Sequence, residues 1–303
     1  MSLPIATASA RTRQADDHIS SRPALPPNSV TKRRPGFQFP ATLLGPAMQI
    51  RTWLLQQGLL GGTPLQHQLV ICGFPRSGTT LCQLMLEACV DHVGTAGRER
   101  RALQIGRYGN RCFPAFVSKR PKDLFLIPEI AKWYQDRSMR VQFLVMHRDP
   151  RAILTSRHFS RPTEYYFSPE LWLQYYPHWK WAIQRSDVLS LSYEQLVANP
   201  RQTQQRILNF TGWRAAHDFS TFHQRVPRRF DGRALNGLRP LETKRLQAWM
   251  SAEHSSRIHQ LLRQIPEFPR LLIDDGYEPD QQWVRAFSGD CGELPKPNTE
   301  TAA

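Results

Sequence analysis

The chain lacks any long apolar run. None of its hydrophobic stretches approaches the 18 or so residues that a membrane helix needs, and residues 5–10 are too weakly apolar for a signal-peptide core. Cysteine is scarce, with five in 303 residues, and the cysteines have no zinc-ligand spacing. We therefore expect no membrane contact and no bound metal, and a reducing cytoplasm as the compartment.

Acidic residues are also few. The sequence has 25 Asp and Glu against 40 Lys and Arg, so its net charge is +15. Nucleic-acid binders are basic as well, but no helix-turn-helix, zinc finger or aromatic RNA platform is evident, so we expect no specific nucleic acid. Much of the excess is arginine, which suits bidentate recognition of phosphate and sulfate groups. A non-enzymatic polyanion binder remains an alternative.

The composition predicts one domain with two irregular ends. Hydrophobic residues make up 40% of the chain, enough for residues 45–280 to form a single α/β domain. Residues 1–40 are basic, rich in proline and poor in large apolar groups, so we predict that they are disordered. Residues 281–303 are predicted to be a flexible tail. No internal repeat is visible.

The segment Gly73–Thr80, with the sequence Gly-Phe-Pro-Arg-Ser-Gly-Thr-Thr, has the outline of a phosphate-binding loop. An apolar run, residues 69–72, precedes it and predicts a strand. The apolar residues that follow recur at the spacing of one buried helix face. They are Leu81, Leu84, Met85, Ala88 and Cys89. Strand, loop and helix thus occur in the order that phosphate binding requires.

This loop departs from the nucleotidase pattern at one position. Gly73 and Gly78 keep the four-residue gap, but Thr79 stands where a P-loop has its lysine, and the basic residue comes earlier, at Arg76. Backbone amides and the helix N-terminus can still bind a 5′-phosphate. Without that lysine the loop is poorly suited to bind a γ-phosphate with its magnesium, whereas fixed cationic donors could bind a sulfuryl group. A P-loop kinase that uses ATP-Mg is therefore the second-ranked hypothesis for the function.

A second segment repeats the strand-then-charge pattern. Residues 141–149 form a buried-strand pattern that ends in charge, and Pro150 begins a predicted helix. Arg148 is thus predicted at the carboxyl end of a strand and Ser156 about two turns into the helix. In open α/β sheets, ligands bind beyond those strand ends.

With these residues in view, the chain resembles the sulfotransferases that use 3′-phosphoadenosine 5′-phosphosulfate (PAPS). The bacterial members and the protein-tyrosine sulfotransferases share Pro-Arg-Ser-Gly-Thr-Thr, which is residues 75–80 here. Three further segments are similar to family motifs: Ser118–Pro121, Leu189–Leu196 and Asp275–Pro279. The resemblance covers residues 68 to about 280. It implies a P-loop-type parallel sheet with helices on both faces, and sulfuryl transfer from PAPS to a hydroxyl or amine, in line and without metal.

The resemblance also implies roles for individual residues. Arg76 and Lys119 would stabilise the leaving oxygen, and Arg148 and Ser156 would hold the 3′-phosphate. Tyr193 would lie near the nucleotide. The remaining predicted nucleotide contacts are Pro75, Ser77, Gly78, Thr79, Thr80, Arg233 and Arg239. Because the Golgi-type animal enzymes carry a membrane anchor, we expect a soluble bacterial enzyme.

The general base and the acceptor are less determined. Glu99 is the nearest match to the family's glutamate, displaced by a couple of positions, and His92 is the alternative. Residues 165–167 are candidates for an acceptor pocket. Aromatic residues at helical spacing predict a buried helix face instead; they are Trp172, Tyr175, Tyr176 and Trp179. The acceptor's identity and the oligomeric state are left open by the sequence.

Overall fold

The computed structural model describes residues 50, 53, 54, 59, 63–108, 113–158, 160–225 and 239–287. The segment predicted to be disordered, residues 1–40, lies outside the described residues. So do Arg233 and residues 288–303.

Five parallel strands form the central sheet. They are β1 (His67–Gly73), β2 (Val93–Thr95), β3 (Ala115–Lys119), β4 (Arg140–His147) and β7 (Val188–Ser192). Their order across the sheet is β2–β3–β1–β4–β7. Two further strands, β5 (Arg157–His158) and β6 (Arg161–Tyr165), form a separate antiparallel pair. Because all five strands of the sheet run parallel, their carboxyl ends meet at one edge.

Helices connect the strands. The α-helices of the described residues are α1 (Thr79–Cys89), α2 (Ala102–Tyr108), α3 (Ile127–Gln135), α4 (Pro150–Leu154), α5 (Pro169–Ala182), α6 (Tyr193–Ala198), α7 (Pro200–Thr211), α8 (Ser255–Gln264), α9 (Phe268–Asp274) and α10 (Gln282–Arg285). Short 3₁₀ turns occur at Pro121–Leu126, Phe219–Gln224, Thr243–Arg245, Ala248–Met250 and Ala252–His254.

The central strand β1 is buried on both faces, since its alternate side chains enter two different cores. Val70 and Cys72 pack into one core, which α3, α5 and α8 cover. Leu69 and Ile71 pack into the other, which α1 and α7 cover. The period of two along a strand produces this division. The predicted fold, a parallel sheet with helices on both faces, is confirmed.

The aromatic run after the second motif forms the helix that its spacing predicts. Trp172, Tyr175 and Trp179 lie along one face of α5 and are at most 5% exposed. Tyr176 is only partly buried, and its hydroxyl donates to Asp275. This face packs around Phe74, with ring centroids 5.8–6.3 Å away. The aromatic helix therefore supports the first residues of the phosphate-binding loop.

The predicted domain end at residue 280 is too early. Helix α10 follows it, and Phe287 is 6% exposed, with its ring centroid 6.2 Å from that of Trp249. Trp283 also packs against Phe287. Residues 281–287 belong to the predicted flexible tail, but the aromatic rings of Trp283 and Phe287 pack into the core. The domain extends through residue 287.

Gly73 should be the glycine least tolerant of substitution. Its φ is 126°, and a Cβ there would lie 2.1 Å from the Met146 carbonyl oxygen of β4. Gly212 is a matched control, since its φ is 77° but no atom lies within 4 Å of its Cβ position. We expect Gly73→Ala to lower the free energy of unfolding by about 3 kcal/mol and Gly212→Ala by about 1–2 kcal/mol, measured by urea denaturation. Equal losses in the two variants would contradict the close packing of β1 against β4.

Candidate active site

The glycine-rich loop presents the N-terminus of α1 to a cleft at the carboxyl edge of the sheet. Gly78 is the N-cap in the left-handed conformation, and no side chain caps the helix. The first N–H groups of a helix have no intrahelical partner, so those of Thr79 and Thr80 are available to a ligand. Arg76 also has a positive φ, 70°, which is uncommon for a residue with a side chain. Strain of this kind is typical of binding loops.

Ser77 does not face the cleft, although it was predicted to contact the nucleotide. Its hydroxyl donates to the carbonyls of Phe74, at 2.6 Å, and Met146, at 3.2 Å, and the residue is fully buried. Its backbone N–H also donates to Phe74. The side chain therefore fastens the loop to β4.

Arg148 and Ser156 flank helix α4. Arg148 directly follows β4, as predicted. Ser156 lies beyond the helix, not inside it, because α4 ends at Leu154. The Thr155 hydroxyl donates to the carbonyl of Arg151 at 2.7 Å, which closes the last turn. This short helix turns the chain back, so that Ser156 returns to the strand end where Arg148 lies.

The two motifs meet directly. The Arg76 Nε donates to the Ser156 hydroxyl at 2.7 Å, and Arg148 Nη1 donates to the carbonyl of Arg76 at 3.2 Å. Within the described residues, no carboxylate forms an ion pair with either arginine. Burial lowers the pKa of Arg76, and the nearby charge of Arg148 lowers it further. Arg148 Nε is buried without a hydrogen-bond partner among the described residues. An anion is the group that would compensate two such guanidiniums.

Tyr193 lies between the two motifs. The Arg148 guanidinium lies over the Tyr193 ring, 4.4 Å from its centroid. On the loop side, a Cβ at Gly78 would lie 2.4 Å from Tyr193 Cδ2, so the loop needs glycine at this position. The tyrosine thus spaces the loop from the strand end that carries Arg148.

Lys119 and Glu99 form an ion pair at the next strand end. Lys119 is the last residue of β3 and is 5% exposed, and its ammonium lies 3.1 Å from the Glu99 carboxylate. The Glu99 side chain is 57% exposed. The backbone N–H of Arg100 donates to the carbonyl of Lys119, which holds this loop against the strand. The predicted leaving-group donor and the predicted base are therefore direct partners.

One cleft of about 910 Å³ contains nearly all of the predicted site residues that the structure describes. Its lining includes Pro75, Arg76, Gly78, Thr79, Thr80, Glu99, Lys119, Arg148, Ser156, Tyr193 and Arg239. Ser77 is the exception, for the reason given above. Arg233 lies outside the described residues, so the segment from Arg239 onward is the described part of the basic loop. Residues at or after the carboxyl ends of all five strands of the sheet thus converge on one cavity.

The alternative base, His92, lies elsewhere. It is exposed, has a φ of 55°, and directly precedes β2. A residue before a parallel strand lies at the amino edge of the sheet, opposite the cleft, and His92 does not line it. His147 is also absent from the cleft lining. Its Nδ1 contacts the Tyr277 hydroxyl at 2.5 Å, and burial lowers its pKa to about 4.

The cleft includes residues whose place the sequence left undecided or did not suggest. Of residues 165–167, Tyr166 lines the cleft and is 42% exposed, whereas Phe167 is buried in the core. The Arg76 guanidinium lies 5.5 Å from the Tyr166 ring centroid. The segment 239–249 forms a further wall, which includes the buried Trp249. Nothing in the sequence near Trp249 indicates a place in the cleft wall. The Trp249 ring packs against Arg151, which lies in a distant part of the chain.

Two kinds of feature do not occur in the described part of the chain. No group of three His, Cys, Asp or Glu side chains there could hold a metal ion. No helix there has the length and apolarity of a membrane span.

The parallel sheet, the loop before α1 and the cationic cleft define an α/β protein of the phosphate-binding-loop type. A family model described as the sulfotransferase family matches residues 101–218. This match confirms the predicted resemblance to sulfotransferases. It includes Lys119, Arg148, Ser156 and Tyr193, and it begins after the glycine-rich loop. No curated protein matches the sequence.

Solved sulfotransferase structures are similar to this chain at low identity. The sulfotransferase domain of the Synechococcus PCC 7002 olefin synthase is 16% identical, over 63% of this chain and 89% of that one, with a TM-score of 0.42. Mouse sulfotransferase SULT7A1, complexed with PAP, is 14% identical over 75% and 95%, with a TM-score of 0.43. STF9 from Mycobacterium avium is 13% identical over 70% and 74%, with a TM-score of 0.35. These values support no statement about the ligand of this chain.

The two serines of the site should respond oppositely to substitution. Ser77→Ala removes a buried hydroxyl that bonds two carbonyls, so we expect a loss of about 1–3 kcal/mol in unfolding free energy. Ser156→Ala should leave stability nearly unchanged and weaken binding of 3′-phosphoadenosine 5′-phosphate (PAP) about tenfold. Urea denaturation and calorimetric titration measure the two quantities. If Ser77→Ala weakened PAP binding at unchanged stability, Ser77 would be a ligand contact after all.

Proposed function

We propose that this protein is a sulfotransferase that moves the sulfuryl group of PAPS to a hydroxyl or amine of its acceptor, in line and without a metal ion. The observation that carries the proposal is the meeting of Arg76, Arg148 and Ser156 at the open N-terminus of α1. The family match supports the reaction class. The donor is proposed from the resemblance to PAPS-dependent sulfotransferases, and the cleft residues are compatible with it.

The cleft residues fit a nucleotide with phosphates at both the 5′ and 3′ positions. The free N–H groups at the start of α1 suit the 5′ end, since helix N-termini favour anions. Arg148 and Ser156 suit the 3′-phosphate, because a guanidinium and a hydroxyl can both donate to its oxygens. The Arg148 Nε, buried and unpaired in the described structure, is one donor that such a phosphate would satisfy.

We assign to two cations, Arg76 and Lys119, the stabilisation of the charge that develops on the leaving oxygen. Sulfuryl transfer leaves negative charge on the oxygen that joined sulfur to the 5′-phosphate. Arg76 lies in the loop itself, and Lys119 lies at the end of the neighbouring strand with its ammonium largely buried. Fixed donors in a partly desolvated cleft act strongly on such charge and do not need to reorganise. They also replace the magnesium that a γ-phosphate would require.

Glu99 is the proposed general base. Its carboxylate lies in the cleft, 3.1 Å from the Lys119 ammonium, so a base and a leaving-group donor are adjacent. Half of the Glu99 side chain is exposed, which leaves it accessible to an incoming acceptor. His92 does not qualify, because it lies at the opposite edge of the sheet.

Calorimetric titration with PAP, ATP-magnesium and a DNA oligonucleotide tests the proposed donor. We expect metal-free binding of PAP, weakened at least tenfold in Arg148→Ala because a charged hydrogen bond to phosphate is lost. Lys132→Ala, which changes an exposed ion pair far from the cleft, is the control. Binding of ATP-magnesium alone would support the kinase alternative, and salt-dependent binding of the oligonucleotide alone would support a polyanion binder.

The pH profile of the rate tests the base. We expect Glu99→Gln to abolish the rise in rate on the acidic side of the profile, because the amide cannot accept the acceptor's proton. The rate is measured as transfer from radiolabelled PAPS to acceptors in a cell extract. Glu129→Gln, on α3, is the matched control. An acidic limb that is unchanged in Glu99→Gln would remove this residue from the mechanism.

A further inference from the structure

The backbone around Arg148 is fixed on one side by the sheet. Strands β4 and β7 pair in parallel up to His147 and Ser192, the last residues of each strand. Arg148 directly follows β4 and Tyr193 directly follows β7, and the Arg148 guanidinium lies over the Tyr193 ring. Pairing of the main chains therefore ends one residue before the arginine that the site depends on.

Glu194 continues the connection past the end of the sheet. Its Oε1 accepts the backbone N–H of Asp149 at 3.0 Å, and its Oε2 accepts the Ser192 hydroxyl at 3.0 Å. Ser192 caps α6 by accepting the N–H of Gln195 at 3.0 Å, which fixes the turn that carries Glu194. The Arg148 backbone is thus held on both sides, by the sheet before it and by this carboxylate after it.

The side chain of Asp149 has a different partner. Its carboxylate accepts from the backbone N–H and the guanidinium of Arg151, the latter at 2.8 Å, and Arg151 is 2% exposed. Arg151 in turn lies over the Trp249 ring, 3.8 Å from its centroid. The Asp149 carboxylate is therefore bound to Arg151, while its backbone N–H is bound to the Glu194 carboxylate of α6.

Glu194 itself does not line the cleft. Burial raises its pKa, and the hydrogen bond from Asp149 opposes that shift. The negative charge of Asp149 also disfavours a second carboxylate here. A partly buried carboxylate beside another one is costly unless its hydrogen bonds stabilise it. A role in the placement of Arg148 accounts for a glutamate at this position.

We infer that Glu194 is a positioning residue for recognition of the 3′-phosphate: it fixes the backbone after Arg148 so that the guanidinium lies over Tyr193 and faces the cleft. This inference rests on the proposed function, because it takes the 3′-phosphate as the group that Arg148 binds. Glu194 makes no contact with the nucleotide and takes no part in the transfer. Its effect reaches the ligand through the direction of the Arg148 side chain.

A comparison of two nucleotides separates this role from a general structural one. AMP has the 5′-phosphate alone, whereas PAP has both phosphates. We expect Glu194→Ala to reduce the preference for PAP, the ratio of the AMP Kd to the PAP Kd, about tenfold, while the AMP Kd changes less than threefold. Glu194→Gln should keep most of the preference, because its amide oxygen can still accept the Asp149 N–H. Both constants come from titration calorimetry on the full chain.

Gln195→Ala is the matched control, because this neighbouring side chain is exposed and bonds Arg206, away from Asp149. If Glu194→Ala does not fold, Glu194→Met is used for the same test. The methionine side chain has a volume similar to that of glutamate but no oxygen to accept the Asp149 N–H. An unchanged preference, or equal losses of AMP and PAP affinity, would overturn the inference. If the unsubstituted protein does not prefer PAP over AMP, the proposed donor itself is wrong, and the inference fails with it.

Discussion

The site depends on two arginine guanidiniums held close together without a carboxylate between them. Like charges repel, and the charge of Arg148 lowers the pKa of Arg76. Partial burial makes the repulsion costlier than it would be in water. The fold tolerates this cost because β1 and β4 are adjacent and parallel, so the residues that follow them are neighbours. The serine that follows α4 then returns to the same place and accepts from Arg76. A doubly phosphorylated nucleotide would compensate both charges.

Much of this arrangement follows from local sequence. The apolar runs before Gly73 and Arg148 predict buried strands, and parallel strands place their carboxyl ends at one edge. The glycine positions, the threonines that open α1 and the spacing from Arg148 to Ser156 are short-range features that sequence alone displays. The aromatic spacing in α5 is another, because burial at helical intervals requires no knowledge of the partner.

Other features depend on contacts between distant segments and could not be predicted. Ser77 and Ser156 are both small polar residues in loops, and only the packing against Met146 shows that the first is structural. The core extends through Phe287 because Trp249, far away in the chain, leaves a surface for it. Glu194 belongs to a recognisable motif, but its partner is the backbone N–H of Asp149, 45 residues earlier in the chain, and this contact leaves no trace in the sequence.

The central claim is that Arg76 and Arg148 bind opposite ends of one nucleotide, and a crystal structure of the protein grown with PAP tests it most directly. The account predicts the 5′-phosphate at the N–H groups of Thr79 and Thr80 and the 3′-phosphate on Arg148 and Ser156. It further predicts that Arg76 turns from Ser156 toward the 5′ end of the ligand. PAP bound outside the cleft, or bound in it with the 3′-phosphate away from Arg148, would contradict the account.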